Sequence, residues 1–218
     1  GRSAVLGALS DRLMPLSFVH ALWEGGAVGF GRLDEWSDID LYALVDDDKV
    51  DESFAAVEDV LRSVSPIKTK YDVGQTGYPG VHQAFYRLED TSEFMVLDIA
   101  VVTVSAPDLF LEEATHGTPT YLFCKLQERP KPSLDRPALR VQVSERVRRL
   151  RSRMDLFHVF VKKEMNRGHA IEALDVYRSV VLGSLTEMLR IKHYPVHHGF
   201  QTRYVYSELP PDVVERLE

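Results

Sequence analysis

The stretch Leu22–Asp46, LWEGGAVGFGRLDEWSDIDLYALVD, decides how the rest of the chain is read. Its apolar opening runs into Gly25-Gly26, and a polar, glycine-containing excursion leads to Asp38-Ile39-Asp40 at the head of an alternating run. A strand shows every second side chain on one face, so Asp38 and Asp40 point the same way, with Cα atoms roughly 6.5–7 Å apart. Two carboxylates that close repel unless a cation or a positive partner lies between them. The pair is a candidate divalent-metal clamp, and the glycines just upstream offer backbone N–H groups to phosphate. Metal-assisted phosphoryl or nucleotidyl transfer is the chemistry this stretch suits.

Working outward, Val5, Leu6, Leu9 and Leu13 recur at helical spacing until Pro15. Phe18 to Trp23 reads as a buried strand, and Ile39, Leu41, Ala43 and Val45 alternate as a second. Phe54, Val57, Val60, Leu61 and Val64 predict a helix that Pro66 ends. Lys68 to Val73 and Val81 to Leu88 read as strands around a Gly-Tyr-Pro-Gly loop. Phe94 to Val104 is the strongest strand, and Pro107 predicts a helix over Leu109 to Ala114. Glu128-Arg129-Pro130-Lys131-Pro132-Ser133 is a connector, beyond which Val143, Val147, Leu150, Met154, Phe157, Val161 and Met165 predict one long helix capped near Gly168. A second helix carries Leu174, Tyr177, Val181, Leu185 and Met188, and Pro210-Pro211-Asp212 opens another that runs to the end, as though the chain stops inside a domain. The expected fold is α+β: a mixed sheet with helices over residues 1–127, then an all-α helical domain over 134–218.

The 218 residues suffice for one large or two small domains. A net charge of −7 argues against broad electrostatic capture of nucleic acid, and fits a small cationic substrate. No apolar run approaches the ~18–20 residues of a membrane span. The single cysteine, Cys124, leaves a reducing, cytoplasmic setting as the expectation and reads as an inert core thiol.

Phe94 to Val102 is apolar on both faces except for Asp98, the pattern of a strand covered on both sides. An isolated carboxylate there costs several kcal/mol unless paired or protonated. Beside Asp38 and Asp40, a metal reading gains over a core salt bridge, because two Mg²⁺ ions need about three convergent carboxylates plus substrate phosphates.

Gly25-Gly26, the spacer, Asp38-Ile39-Asp40 and a distal Asp98 on a later apolar strand together resemble the DNA polymerase beta-type nucleotidyltransferase superfamily. The short chain and helical C-terminal half are most similar to its antibiotic (aminoglycoside-type) and minimal bacterial members. The motifs cover about residues 16–104, and the helical part is matched by architecture only. The resemblance implies that Asp38 and Asp40 hold two Mg²⁺ ions and that Asp98 shares the metal beside the attacking hydroxyl or acts as its base. Gly25 and Gly26 would let the backbone approach the phosphates of a nucleoside triphosphate, with ATP as the expected co-substrate. The family's usual Gly-Ser is Gly-Gly here, so Gly26 offers no hydroxyl; Ser37 could supply one, or be a simple turn residue. Lys162 is a candidate triphosphate contact, and the arginines from Arg146 to Arg153 are either a solvated face or a second such group.

The implied activity is transfer of AMP to a hydroxyl of a small molecule, which could be an aminoglycoside antibiotic, with release of pyrophosphate. The helical domain would then close the cleft and choose the acceptor. Alternatives are a toxin–antitoxin nucleotidyltransferase acting on protein or RNA, and a degenerate nucleotide-binding module. The apolar C-terminal helices leave a homodimer open. Trp36 is a candidate to pack under the base, Glu112 and Glu113 are candidate general bases, and His193, His197 and His198 read as loop residues.

Overall fold

The computed structural model describes all 218 residues, and its fold is α+β, built on a six-stranded mixed sheet. The chain divides into two compact units, Gly1–Ser133 and Leu134–Glu218. No helix is long and apolar enough to cross a membrane.

The first unit runs α1 (Arg2–Leu13), β1 (Val19–Glu24), the single turn α2 (Gly26–Gly29), β2 (Ile39–Val45), α3 (Val50–Val64), β3 (Ile67–Gln75), β4 (Val81–Leu88), β5 (Leu97–Thr103), the short α4 (Glu113–His116) and β6 (Thr120–Cys124). The strand order is β3-β4-β5-β2-β1-β6. Only β2 and β5 pair in parallel.

The alternation along β2 sorts the two faces. Ile39, Leu41, Ala43 and Val45 join Val5, Leu9 and Leu13 of α1 and Val57, Val60 and Leu61 of α3 in the larger core cluster. Each fully buried Leu in it stabilises the fold by about 1.5–3 kcal/mol. The opposite face is sealed towards the ends of β2 and β5, where Trp23, Leu44, Val81 and Val102 pack with Leu111. Towards the start of β2 and β5 that face opens, and Asp40 and Asp98 are half-buried there. The expectation that the strand bearing Asp98 is covered on both sides therefore fails at Asp98 itself.

Between β5 and β6 the expected helix over Leu109 to Ala114 shrinks to Glu113–His116. Asp108 Oδ1 accepts from the Phe110 N–H at 2.8 Å, and Phe110 takes a left-handed φ of 57°. That local bond offers the backbone an alternative to helix. The Thr-Tyr-Leu-Phe-Cys run that follows forms an edge strand, which puts Cys124 partly in solvent rather than in the core.

The second unit carries α5 (Arg136–Phe157), α6 (Val159–Asn166), α7 (Ala170–Val176), a π-helical turn at Tyr177–Leu182, α8 (Gly183–His193), a 3₁₀ segment at Pro195–Phe200, α9 (Val205–Glu208) and α10 (Pro211–Glu215). The single long helix expected through Met165 is interrupted at His158. Gly168 has φ 78° and donates to the Met165 carbonyl at 3.0 Å, which ends α6. Only Leu150 of the apolar stripe on α5 is buried.

Polar groups hold this unit instead. Arg146 donates through Nε and Nη2 to the two Glu187 carboxylate oxygens, at 2.5 and 2.7 Å. Burial pushes the Glu187 carboxyl up, but Arg146 and His198 more than offset this, so it titrates below the ordinary range. A depressed carboxyl stabilises the fold above its unfolded pKa and loses that stabilisation as pH falls through the folded value. Glu187→Gln is expected to cost about 1–3 kcal/mol at pH 7. Thermal melts should show the loss narrowing as the pH drops from about 5 towards 3.

Candidate active site

Three cross-strand registers bring the carboxylate-bearing strands together. Asp40 on β2 is the direct partner of Asp98 on β5. Parallel neighbours lie about 4.8 Å apart, so the two Cα atoms sit one strand spacing from each other on the same face. Asp98 in turn faces Phe85 on β4, and Phe85 faces Tyr71 on β3. On the other side of Asp40, the Gly25 N–H donates to its carbonyl at 3.0 Å, extending the β1–β2 ladder by one residue. The row across the open face is therefore Tyr71, Phe85, Asp98, Asp40, Gly25. Asp38 precedes β2 and is exposed at the same end.

The three carboxylates are neighbours without converging on a point, and no group of three or more His, Cys, Asp or Glu side chains is gathered to hold a metal ion. Asp98 Oδ1 accepts from Gln83 Nε2 at 2.7 Å. Asp40 lies against the glycine turn. A Cβ built on Gly26 would stand 1.8 Å from Asp40 Oδ2 and 2.4 Å from its Cγ. Gly26 also has φ +57°, a left-handed conformation that disfavours any side chain. The absent hydroxyl thus has a physical reason in this chain: the space a serine would use holds the Asp40 carboxylate.

The turn beyond Gly26 is fixed from below. Gly117, at φ +78°, approaches Gly29 so closely that a Cβ would lie 2.6 Å from the Gly29 carbonyl carbon, and Thr118 N–H donates to the Gly29 carbonyl at 2.9 Å. Both contacts are backbone to backbone, so neither side can give way cheaply. Gly117→Ala is expected to destabilise the first unit by about 2 kcal/mol, readable in urea unfolding.

Sequence reasoning missed Glu24 and Arg2. Glu24 ends β1 with only 4% of its surface exposed. Its carboxylate pairs with Arg2 Nη2, while Arg2 Nη1 donates to the Asp38 carbonyl at 2.7 Å. One guanidinium thereby ties the end of β1 to the entry of β2. Burial raises the Glu24 carboxyl above its ordinary value, and Arg2 opposes that without overcoming it. An acid directly before the Gly-Gly pair, with an arginine heading α1, was the available signal.

The remaining expected residues fall as follows. Ser37 Oγ donates to Asp34 Oδ1 at 2.6 Å and accepts from the Asp34 N–H at 3.0 Å, so its hydroxyl serves the turn before β2. Lys162 is exposed on α6 of the second unit. Trp23 is core, stacked on Tyr42 at 5.4 Å, whereas Trp36 is 59% exposed and meets Phe94 edge-on at 4.8 Å. Both Glu112 oxygens cap α4 by accepting from the Ala114 and Thr115 N–H groups, and Glu113 is exposed. His197 overturns its reading as a loop residue: it is fully buried, stacked on Phe200 at 4.1 Å, with Nδ1 2.8 Å from Glu208 Oε1, while Arg190 pairs with the other oxygen of the same carboxylate.

What the first unit can do chemically follows from the row. It offers hard oxygen donors on adjacent strands, with backbone free of side chains beside them and an aromatic floor beyond. No protein-family model matches the chain, and no curated protein matches it.

Proposed function

We propose that the chain is a magnesium-dependent nucleotidyltransferase of the DNA polymerase beta type, transferring AMP from ATP to a hydroxyl of a small molecule. The observation that carries this reading is the registered row of Asp98, Asp40 and Gly25 on the open face, with Asp38 at its edge. The finer architecture belongs to the proposal: a nucleotidyltransferase-type sheet followed by an all-helical domain.

The donor set fits magnesium in kind, being carboxylate oxygens only. Asp38, Asp40 and Asp98 would hold the ions, which supply charge neutralisation on the α-phosphate and its leaving group. The chain's own groups do the rest. Gly25 and Gly26 allow the backbone to approach the phosphates. Asp98 would take the proton of an acceptor hydroxyl, and Gln83 Nε2 donates to that carboxylate at 2.7 Å. The large apolar side chains exposed on the second unit, among them Leu156, Met165, Ile171 and Leu174, support association into a homodimer.

The test is pyrophosphate release from ATP with Mg²⁺ across a set of hydroxyl compounds that includes aminoglycosides, with the Asp38→Ala/Asp40→Ala double variant as control. Release by the native chain alone supports the proposal, and equal release by both removes it. Magnesium-dependent ATP binding with no release against any acceptor would identify a non-catalytic nucleotide-binding module instead.

A further inference from the structure

The row across the open face does not end at Gly25. Glu24 pairs with Thr120 on β6, and continuing that antiparallel register by one residue places Pro119 beside Gly25. Pro119 thus lies two strand spacings, about 10 Å, from Asp40. Beyond it is a cavity of about 450 Å³. Its walls include Thr118 and Pro119, Leu111 and Tyr121 of the open-face cluster, and Arg129 and Lys131 of the connector, all within the first unit. The Arg129 guanidinium stands 4.6 Å from the centre of the Tyr121 ring, and neither it nor the Lys131 ammonium makes a hydrogen bond or an ion pair. Pro130 and Pro132 fix φ on either side of Lys131, so both cations hang from stiff backbone. Two carboxylates share the wall. Glu112 is engaged by the Ala114 and Thr115 N–H groups and the Thr115 hydroxyl, whereas Glu113 is exposed and unpaired.

We propose that Arg129 and Lys131 hold the pyrophosphate end of the nucleoside triphosphate and retain pyrophosphate after transfer. The proposal rests on the nucleotidyl-transfer reading of the carboxylates. The acceptor oxygen bonds the α-phosphorus, the bond from that phosphorus to the bridging oxygen breaks, and its electron pair leaves on the pyrophosphate. The acceptor's proton passes to Asp98. In such an in-line displacement the attacking and leaving oxygens stand on opposite sides of the phosphorus. With Asp98 on the acceptor's side, the leaving group departs the other way along the row, over Gly25 towards Pro119 and the cavity. The class of ligand follows from the cations. A planar arginine fork and a lysine point charge, both without a protein partner, suit a compact polyanion. Glu113 on the same wall works against them and limits how tightly the product is kept.

Calorimetric titration of the full chain with inorganic pyrophosphate and Mg²⁺ tests this without any acceptor. The native chain is expected to bind it, and the Arg129→Gln/Lys131→Gln variant to bind it about tenfold more weakly. Glu113→Gln should bind it about threefold more tightly, a gain that a merely structural role for these residues would not produce. All three side chains are exposed, so the variants are expected to keep the native melting temperature. No detectable binding to the native chain, the same affinity in the double variant, or an equal affinity for sulfate overturns the proposal. The nucleotidyl-transfer reading fails separately. It falls if the native chain and the Asp38→Ala/Asp40→Ala variant release pyrophosphate from ATP equally, and that comparison leaves the calorimetric result standing.

Discussion

Asp40→Asn is expected to lower magnesium-dependent pyrophosphate release by about 10³-fold, ~4 kcal/mol of transition-state stabilisation, while leaving the melting temperature nearly unchanged. The substitution keeps the side chain's shape, and Asp40 is only half-buried, so packing changes little. What it removes is charge at the centre of the row, between Asp98 and the glycine turn. Gly26→Ser should reach a similar loss by another route. A Cβ there would overlap Asp40 Oδ2, so a serine displaces the carboxylate or the turn rather than adding a phosphate contact. Unlike Asp40→Asn, it should also destabilise the fold by about 1–2 kcal/mol, the strain of a side chain at φ +57°. If both variants release pyrophosphate at the native rate, the row is not a catalytic site.

How far the sequence reveals this row depends on the range of the signals. The alternation from Ile39 to Val45 places Asp40 on the face opposite the apolar set, because strand periodicity is local and strict. That Asp98 lies beside Asp40 needs the parallel pairing of β2 with β5, formed between segments separated by α3, β3 and β4. No local pattern encodes it; the metal's need for several carboxylates and the family resemblance are what point to it. The helix expected after Pro107 shows the converse. Propensity over Leu109 to Ala114 loses to one side-chain bond from Asp108, a choice too small for periodicity to register. In the second unit, Arg190, His197 and Glu208 sit in a fully buried cluster, which hydrophobic pattern reads as surface because each residue type is usually exposed. Their burial follows from mutual pairing, which is a property of three positions together.

Arg2→Met tests the other connection that sequence reading missed, and its signature is a pH dependence. Glu24 keeps a raised carboxyl even with Arg2 beside it, because burial outweighs the attraction. With the guanidinium gone, burial acts unopposed and the carboxyl rises further. Below the ordinary glutamate value of about 4.5 both folded and unfolded chains hold the proton, and the variant loses only the bond to the Asp38 carbonyl. As pH rises, the unfolded chain gives up its proton first. Stability then falls until the pH passes the folded value. The variant is therefore expected to be close to native at pH 4 and about 3 kcal/mol less stable at pH 7, the low end of the cost of orphaning a buried charge, since Arg2 is itself 21% exposed. Adding Glu24→Gln removes the charge and should recover most of the pH 7 loss and all of its pH dependence. The Asp38 carbonyl stays without its donor, so pyrophosphate release should remain below native in the double variant. A stability loss that is the same at pH 4 and pH 7 would show that Arg2 acts through packing alone and that Glu24 does not charge in the folded chain.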